Sequence, residues 1–220
     1  MTEPDAAAPP PAPYPTELVR AVVLKNGAHV RIRPIRPDDE PRLVELYGRL
    51  SRYTVYQRFF TVMRRLPPDW AHFFANVDYR RRLALVAERD TPTGVELIGV
   101  GRYEPSEEPD AAEVAFVVED GWQGLGLGAV LLTDVVRAGV ARGIHRFRAF
   151  TLADNYRMLR LLSELTDVVG AIEAAAQSLG CTAAAASWVI ASTARQCGRL
   201  VLFPVSLRGF GTSIAFWNSP

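Results

Sequence analysis

The sequence predicts an α/β domain in which helices flank a mixed, mostly antiparallel sheet. The first observation is that short apolar and β-branched runs recur through residues 20–118, separated by turn-forming residues. The second is a strand, a glycine-rich turn, a helix and another strand between residues 113 and 152. Short turns join antiparallel neighbours, whereas a strand–helix–strand crossover brings its two strands together in parallel.

Local patterns predict the individual elements. Asn26-Gly27 lies between two β-rich runs in residues 20–35, which is typical of a tight hairpin. Residues 37–40 open a helix with acidic residues in its first turn. Residues 51–66 mix aromatic residues with arginines, which is compatible with a nucleic-acid surface but which we interpret as a second amphipathic helix. The remaining predictions are a helix from 67–69, strands at 83–87, 97–103, 115–118 and 146–152, and a helix from 158.

The chain divides into a tail, a domain and an atypical end. Residues 1–19 are rich in Pro and Ala and predict a disordered tail. Residues 20–170 are long enough for one domain with a substantial core. Residues 171–220 differ abruptly in composition, and from residue 174 onward the charged residues are Arg195, Arg199 and Arg208.

Two explanations of the atypical end remain open. One is a genuine extension, with a helix over 183–194 and a strand over 200–207. The other, which we favour, is a frameshift that would leave residues 174–220 poorly packed. Residues 174–194 are uncharged over the length of a membrane span, but Ala, Gln, Ser and Thr make them too weakly hydrophobic to predict one.

The overall composition argues against several classes of function. The formal net charge is +1 in 220 residues, so we predict no nucleic-acid or membrane-surface partner. Cys181 and Cys197 have no metal-ligand spacing and the three histidines lie far apart, so we predict no metal site and no disulfide framework. No N-terminal segment combines a basic region with an apolar core, which predicts a cytoplasmic protein.

The glycine-rich turn has the features of a phosphate-binding site. An apolar strand leads into a turn with Gly124, Gly126 and Gly128, and apolar residues at helical spacing follow. The first N–H groups of a helix have no partner within it, and together with the helix dipole they attract phosphate. Glycine lets the main chain approach the anion without a Cβ atom in the way.

A dinucleotide site is one interpretation of this turn. Gly124, Gly126 and Ala129 fit the loose pattern G-x-G-x-x-G/A, which also expects an acidic residue about twenty positions later. No acidic residue lies between Asp134 and Asp154, which weakens this interpretation. A glycine-rich turn without a ligand is a second, less specific interpretation.

A third interpretation comes from the pattern Q/R-x-x-G-x-G/A. Gln123, Gly126 and Gly128 fill it, and it resembles the acetyl-CoA pyrophosphate loop of GNAT-type N-acetyltransferases. The resemblance extends to the bacterial Pat-like protein-lysine acetyltransferases of that family and covers residues 20–170. It is carried, in this order, by residues 30–39, 56–60, 77–80, 112–124 and 152–161.

This resemblance implies the GNAT fold, with acetyl-CoA as co-substrate. The two closing strands that wall the acceptor site in that family are not recognisable beyond Val169. Main-chain N–H groups of Phe116, Val117 and Val118 would hold the pantetheine and polarise the acetyl carbonyl. Asn155 would bind the cofactor arm. The pyrophosphate would lie against Gln123, Gly124, Leu125, Gly126, Leu127, Gly128 and Ala129.

The chemistry needs a base. A lysine amine with a pKa of about 10.4 must lose a proton before it attacks at neutral pH, which costs on the order of 4–5 kcal/mol. A positioned base recovers part of this. The resemblance puts Glu113 at the position of that base, and the alternative is a solvated residue at a strand start. Glu119 and Asp120 are weaker candidates because they lie on the phosphate-loop side.

The general acid and the acceptor are less defined. Many family members carry a tyrosine about six or seven residues beyond Asn155, where this chain has Leu161 and Leu162, and Tyr156 is out of register. We predict transfer of the acetyl group to a primary amine, first of all a lysine of a protein such as an acyl-CoA synthetase. An acetyltransferase for small-molecule amines and a non-catalytic acetyl-CoA-binding module remain as alternatives.

Overall fold

A computed structural model describes residues 12–108, 110–152, 154–168, 185–192 and 200–203. The strands in these ranges are β1 (Arg20–Val23), β2 (His29–Pro34), β3 (Leu83–Thr91), β4 (Gly94–Pro105), β5 (Ala111–Val118), β6 (Arg146–Leu152), β7 (Thr166–Val168), β8 (Ala185–Ser192) and β9 (Leu200–Phe203). They form one sheet in the order β1-β2-β3-β4-β5-β6-β8-β9-β7. Neighbours are antiparallel except β5–β6 and β9–β7, which confirms the mixed, mostly antiparallel sheet.

Helices cover both faces of the sheet. They are α1 (Glu40–Arg49), α2 (Arg52–Phe59), α3 (Pro68–Ala75), α4 (Leu127–Val140) and α5 (Tyr156–Leu165). Side chains alternate along β3, so Leu83 and Leu85 pack with α4 and α5, whereas Ala84 and Val86 pack with α1, α2 and α3. In the described part of the chain, no helix is both long enough and apolar enough to cross a membrane.

The predicted hairpin and first helices are present. β1 and β2 pair with Val23 opposite His29, and Gly27 in the turn has a φ of 82°. The first predicted helix begins as a short 3-10 turn and continues as α1. The second is shorter than predicted, because Phe60 adopts a left-handed φ of 55° and ends α2.

Gly101 lets α4 pack closely against the centre of the sheet. A Cβ atom on Gly101 would lie 3.1 Å from Leu131 Cβ and 3.3 Å from Val135 Cγ2. Such contacts are tighter than ordinary van der Waals packing, so the absence of a side chain sets the distance between α4 and β4. The N-terminus of α4 is thereby held beside the end of β5.

Residues 12–19 correct part of the predicted tail. The Tyr14 hydroxyl donates to the Pro34 carbonyl at 3.0 Å, and its ring packs edge-on against Tyr79 at a centroid distance of 5.7 Å. The Arg36 guanidinium lies over the same ring, 4.9 Å from its centroid. An aromatic residue with these contacts anchors the segment, although the surrounding composition is Pro- and Ala-rich.

β8 replaces the helix that was predicted over 183–194. It runs antiparallel to β6, with Ala185 opposite Leu152 and Ala191 opposite Arg146. Alanine favours helices locally, but β6 would otherwise present an unpaired edge, and the Trp-Val-Ile run at 188–190 suits a strand. β9 lies within the predicted strand at 200–207. Most of residues 171–220 lies outside the described ranges, so poor packing there and the proposed domain boundary stay predictions.

Candidate active site

β5 and β6 pair only at their beginnings and then separate. The parallel register joins Ala111 to Arg146 and Glu113 to Arg148, and the described pairing ends there. The separation opens a cleft of about 750 Å³ bounded by β5, β6, α2, α5 and the first turn of α4. An exposed strand edge inside a cleft offers main-chain hydrogen bonds to an extended ligand.

Alternate main-chain groups of β5 face this cleft. The Glu119 N–H donates to the Ile98 carbonyl at 2.9 Å. Because hydrogen-bonded pairs alternate along an antiparallel ladder, the Val117 N–H also points to β4. The N–H groups of Phe116 and Val118 therefore point toward the open edge. This corrects one detail of the prediction: Val117 lines the cleft but does not offer its N–H to a ligand.

The glycine-rich turn presents a row of main-chain donors. Gly124 and Gly126 have φ angles of 78° and 92°, in the left-handed region that favours glycine. The first hydrogen bond of α4 runs from the Val130 N–H to the Gly126 carbonyl at 3.1 Å. The N–H groups of residues 124–129 have no acceptor within the described residues. They lie at the positive end of the helix dipole, which suits a pyrophosphate.

Gly128 brings this donor row close to β5. A Cβ atom there would lie 3.1 Å from Phe116 Cε2 and 3.5 Å from Leu161 Cδ2. A side chain would push the helix away from the strand. Leu125 and Leu127 pack in the core, so these two predicted residues can offer a ligand only their main-chain N–H groups.

Gln123 fixes the turn from its side chain. Nε2 donates to the Val118 carbonyl at 3.0 Å and to Thr54 Oγ1 at 3.2 Å, and Oε1 accepts from Arg157 Nη1 at 3.2 Å. Its main-chain N–H donates to the Asp120 carbonyl at 3.3 Å. Gln123 therefore lines the cleft, but the donors that remain for a phosphate begin at the following residue.

Asn155 sits at the other wall, as the cap of α5. Its Oδ1 accepts from the Met158 N–H at 3.1 Å, which satisfies one donor at the helix start. Asn155 lines the cleft, and its side-chain NH₂ has no acceptor within the described residues. That group can donate to a ligand carbonyl.

Glu113 lies where β5 and β6 begin to separate. It lines the cleft and is 9% exposed, so it is not a solvated residue at a strand start. Its cross-strand neighbour is Glu104, and two carboxylates in this position would repel each other. Arg82 donates to Glu104 at 2.7 Å and Arg102 also pairs with it, which balances the second negative charge.

Arg58 of α2 supplies a positive charge to the same end of the cleft. Burial lowers the pKa of Arg58 to about 9, and the charge of Arg102 acts in the same direction, whereas Glu104 and Glu113 oppose it. A guanidinium with this pKa is still charged at neutral pH. Arg58 therefore places a positive charge close enough to Glu113 for the two to attract each other.

The two weaker base candidates are engaged elsewhere. Asp120 accepts hydrogen bonds from the Ser51 N–H at 2.9 Å, the Ser51 hydroxyl at 2.7 Å and the Thr54 hydroxyl at 2.8 Å. Burial acts to raise the pKa of Asp120, but these hydrogen bonds outweigh it and lower that pKa. Glu119 pairs with Arg49 at 3.1 Å. Neither carboxylate lines the cleft.

Sequence reasoning missed several cleft residues, including two on α2 and one in the β1–β2 turn. Tyr56 and Arg58 lie on α2, and Lys25 reaches the cleft from the β1–β2 turn. The segment 56–60 was part of the resemblance, but its individual roles were not assigned, and no local pattern marks Lys25. Tyr156 is 76% exposed and outside the cleft, as its register suggested.

The structure brings most of the predicted site residues together. Those that line the cleft are Glu113, Phe116, Val117, Val118, Gln123, Gly124, Gly126, Gly128, Ala129 and Asn155. Within the described ranges, no group of three or more His, Cys, Asp and Glu side chains is arranged to hold a metal ion. Both cysteines lie outside those ranges.

Comparison with known proteins shows the family of this chain. The acetyltransferase (GNAT) family profile matches residues 49–165, more than half of the chain. Acetyltransferase PA5475 of Pseudomonas aeruginosa is 30% identical over 142 residues, which cover 64% of this chain and 76% of that protein. Acetyltransferase Pat of Mycolicibacterium smegmatis is 28% identical over 144 residues, which cover 66% of this chain but only 43% of Pat.

A solved structure agrees with the sequence matches. The GNAT domain of S. lividans PAT has a TM-score of 0.66 and 33% sequence identity, covering 79% of this chain and 98% of that domain. The family match includes β5, the glycine-rich turn, α4 and Asn155, which are the elements that build the cleft. The chain therefore belongs to the acetyltransferase (GNAT) family.

Proposed function

We propose that this protein transfers the acetyl group of acetyl-CoA to the side-chain amine of a lysine in another protein. One observation carries the proposal: a free strand edge, a row of main-chain donors and a buried glutamate meet in a single cleft. GNAT acetyltransferases use acetyl-CoA in general, and this supports acetyl-CoA as the donor. We assign the reaction to the cytoplasm.

The cleft offers separate groups to each part of acetyl-CoA. The pyrophosphate fits the free N–H groups of residues 124–129. The pantetheine arm fits the N–H groups of Phe116 and Val118, much as a strand would pair with β5. The Asn155 NH₂ faces the same arm from α5. The acetyl group would then lie toward Glu113, where β5 and β6 separate.

Glu113 is the proposed base. The acceptor ammonium gives its proton to the Glu113 carboxylate, and the neutral amine attacks the acetyl carbonyl without a covalent enzyme intermediate. A main-chain N–H of β5 stabilises the negative charge that develops on the carbonyl oxygen. The Tyr56 hydroxyl lines the cleft and is the candidate proton donor to the leaving sulfur, since Leu161 and Leu162 lack a proton to give.

A protein lysine is the acceptor we favour over a small amine. The support is the similarity to Pat proteins at 28–33% identity. The chain spans less than half the length of Pat from M. smegmatis, so the comparison concerns the shared domain. A lysine of an acyl-CoA synthetase is the first acceptor to test, as the resemblance to Pat-like enzymes implies.

The test is an acetylation assay with the full chain. Radiolabelled acetyl-CoA is incubated with a purified acyl-CoA synthetase, with lysate proteins and with a panel of small amines. Label on protein lysines that disappears with Glu113→Gln but not with Glu45→Gln supports the proposal, since Glu45 is exposed on α1. Label on small amines alone would indicate that the acceptor is a small-molecule amine and not a protein lysine. Binding of acetyl-CoA with no transfer to any amine would indicate a binding module.

A further inference from the structure

Lys25, the only lysine in the chain, lies against the glycine-rich turn. Its main-chain N–H donates to the Leu125 carbonyl at 3.2 Å, which joins the β1–β2 turn to the loop before α4. A Cβ atom on Gly126 would lie 3.8 Å from Lys25 Cε and 3.9 Å from Lys25 Cγ. The aliphatic stem therefore runs along the glycine, and the residue lines the cleft.

The electrostatic setting of this side chain is unfavourable in the absence of an anion. Lys25 is exposed and forms no ion pair with any described residue. The first turn of α4 carries no acidic residue, and the N-terminus of a helix is itself positive. The positive end of a helix repels a neighbouring cation. The position of Lys25 is explained if its ammonium group and the N-terminus of α4 face the same negatively charged ligand.

We propose that Lys25 is a phosphate ligand of the cofactor site. Its ammonium group and the N–H groups of residues 124–129 bind phosphate oxygens of coenzyme A from two sides. This inference rests on the proposed use of acetyl-CoA. It adds to the cofactor site a residue of the β1–β2 hairpin, which is distant in sequence from the glycine-rich turn. Gly126 contributes to this arrangement in two ways. Without a side chain, it lets the main chain approach the phosphate and leaves room for the aliphatic stem of Lys25.

The single lysine makes a direct chemical test feasible. An amine-reactive acetylating reagent is applied to the full chain, and the modification rate of Lys25 is followed by peptide mass spectrometry. Coenzyme A should slow the modification at least severalfold, and pantetheine, which has no phosphate, should not. Protection by 3′-dephospho-coenzyme A would assign Lys25 to the pyrophosphate, and protection by coenzyme A alone would assign it to the 3′-phosphate. An equal rate with and without saturating coenzyme A would overturn the proposal.

Variants give an independent readout. Lys25→Gln should weaken coenzyme A binding by roughly tenfold or more and flatten its salt dependence, whereas Lys25→Arg should retain most of the affinity. Arg137→Gln is the matched control, because it removes one exposed cation from the opposite end of α4. Calorimetry separates the two hypotheses. Equal coenzyme A affinity of the native chain and Lys25→Gln would contradict the role of Lys25 but not the proposed function. No coenzyme A binding by the native chain would contradict the proposed function itself.

Discussion

The side-chain amide of Gln123 donates a 3.0 Å hydrogen bond to the Val118 carbonyl, and this bond fixes the glycine-rich turn to the end of β5. The same amide donates to Thr54 of α2 and accepts from Arg157 of α5. The Gln123 side chain thus joins α2 and α5, which form two walls of the cleft, to β5 beside the glycine-rich turn. In the proposed cofactor site, the glutamine of the Q/R-x-x-G-x-G/A pattern would therefore position the donors of the turn, because its own N–H is already bonded to the Asp120 carbonyl.

We expect Gln123→Ala to loosen this connection. Loss of the amide removes the side-chain donor of the Val118 carbonyl and one of the hydrogen bonds of Thr54, so the free energy of unfolding should fall by about 1–3 kcal/mol. The Kd for acetyl-CoA should rise severalfold because the donor row is no longer held. Urea unfolding and calorimetry measure the two effects. Gln57→Ala is the control, since Gln57 lines the same cleft and its side chain makes no hydrogen bond to the described residues.

Gly126→Asp should abolish acetyl-CoA binding. The residue would be strained at a φ of 92°, and its carboxylate would stand where the phosphate binds. Thermal shift with and without acetyl-CoA is the measurement, with NADH as a competing ligand for the dinucleotide hypothesis. Gly143→Ala provides the matched strain control, because Gly143 has a φ of 85° with open space around it at the far end of α4. An equal acetyl-CoA shift in Gly126→Asp and the native chain would contradict the phosphate assignment.

Glu113→Gln should lower turnover by about 10²–10⁴-fold and leave the acetyl-CoA affinity nearly unchanged. The reason is that the carboxylate acts on the acceptor amine and not on the coenzyme. The loss should shrink at high pH, where more of the amine is already neutral. Steady-state kinetics across pH measures this, beside the Glu45→Gln control. If Glu113→Gln has the same turnover as the native chain at neutral pH, Glu113 is not the base.

Asp39 should make the fold sensitive to acid. It is fully buried and accepts from Arg33 at 2.6 and 2.7 Å and from the Arg36 N–H at 2.8 Å. Burial acts to raise the pKa of Asp39, but these hydrogen bonds outweigh it and hold the pKa below its usual range. The stabilisation is therefore complete above the unfolded pKa of about 4 and is lost as pH falls through the lower folded value.

Urea unfolding at pH 7 and at pH 3 tests this role of Asp39. Asp39→Asn should reduce the free energy of unfolding by about 3–5 kcal/mol at pH 7, because Arg33 keeps its charge in the interior. The variant should also lose part of the native difference between the two pH values. Asp38→Asn is the control, since its side chain is exposed. A small effect of Asp39→Asn at pH 7 would mean that Glu88 alone balances Arg33.

Local chemistry predicted the hairpin at Asn26-Gly27 and the glycine-rich turn, because a left-handed φ or a free helix N-terminus depends on a few consecutive residues. Sequence reasoning could not resolve which N–H groups of β5 face the cleft, since that depends on the register with β4. Lys25 was missed for a related reason, as its partner loop lies about one hundred residues away. The helix predicted over 183–194 was wrong, because pairing with the edge of β6 makes Ala185–Ser192 a strand although alanine favours helices.

The pairing of β8 with β6 leads to a prediction about the C-terminal segment. Seven residue pairs join the two strands, from Arg146–Ala191 to Leu152–Ala185. Main-chain groups in a sheet are inaccessible to a protease, so elastase, which cleaves after small residues, should spare Ala185–Ser192 despite its alanines. Limited proteolysis followed by intact mass measurement should give a core that extends beyond residue 192. A core ending near residue 170 would instead support the poorly packed end predicted from composition, and the acceptor side of the cleft would then lack the strand that borders β6.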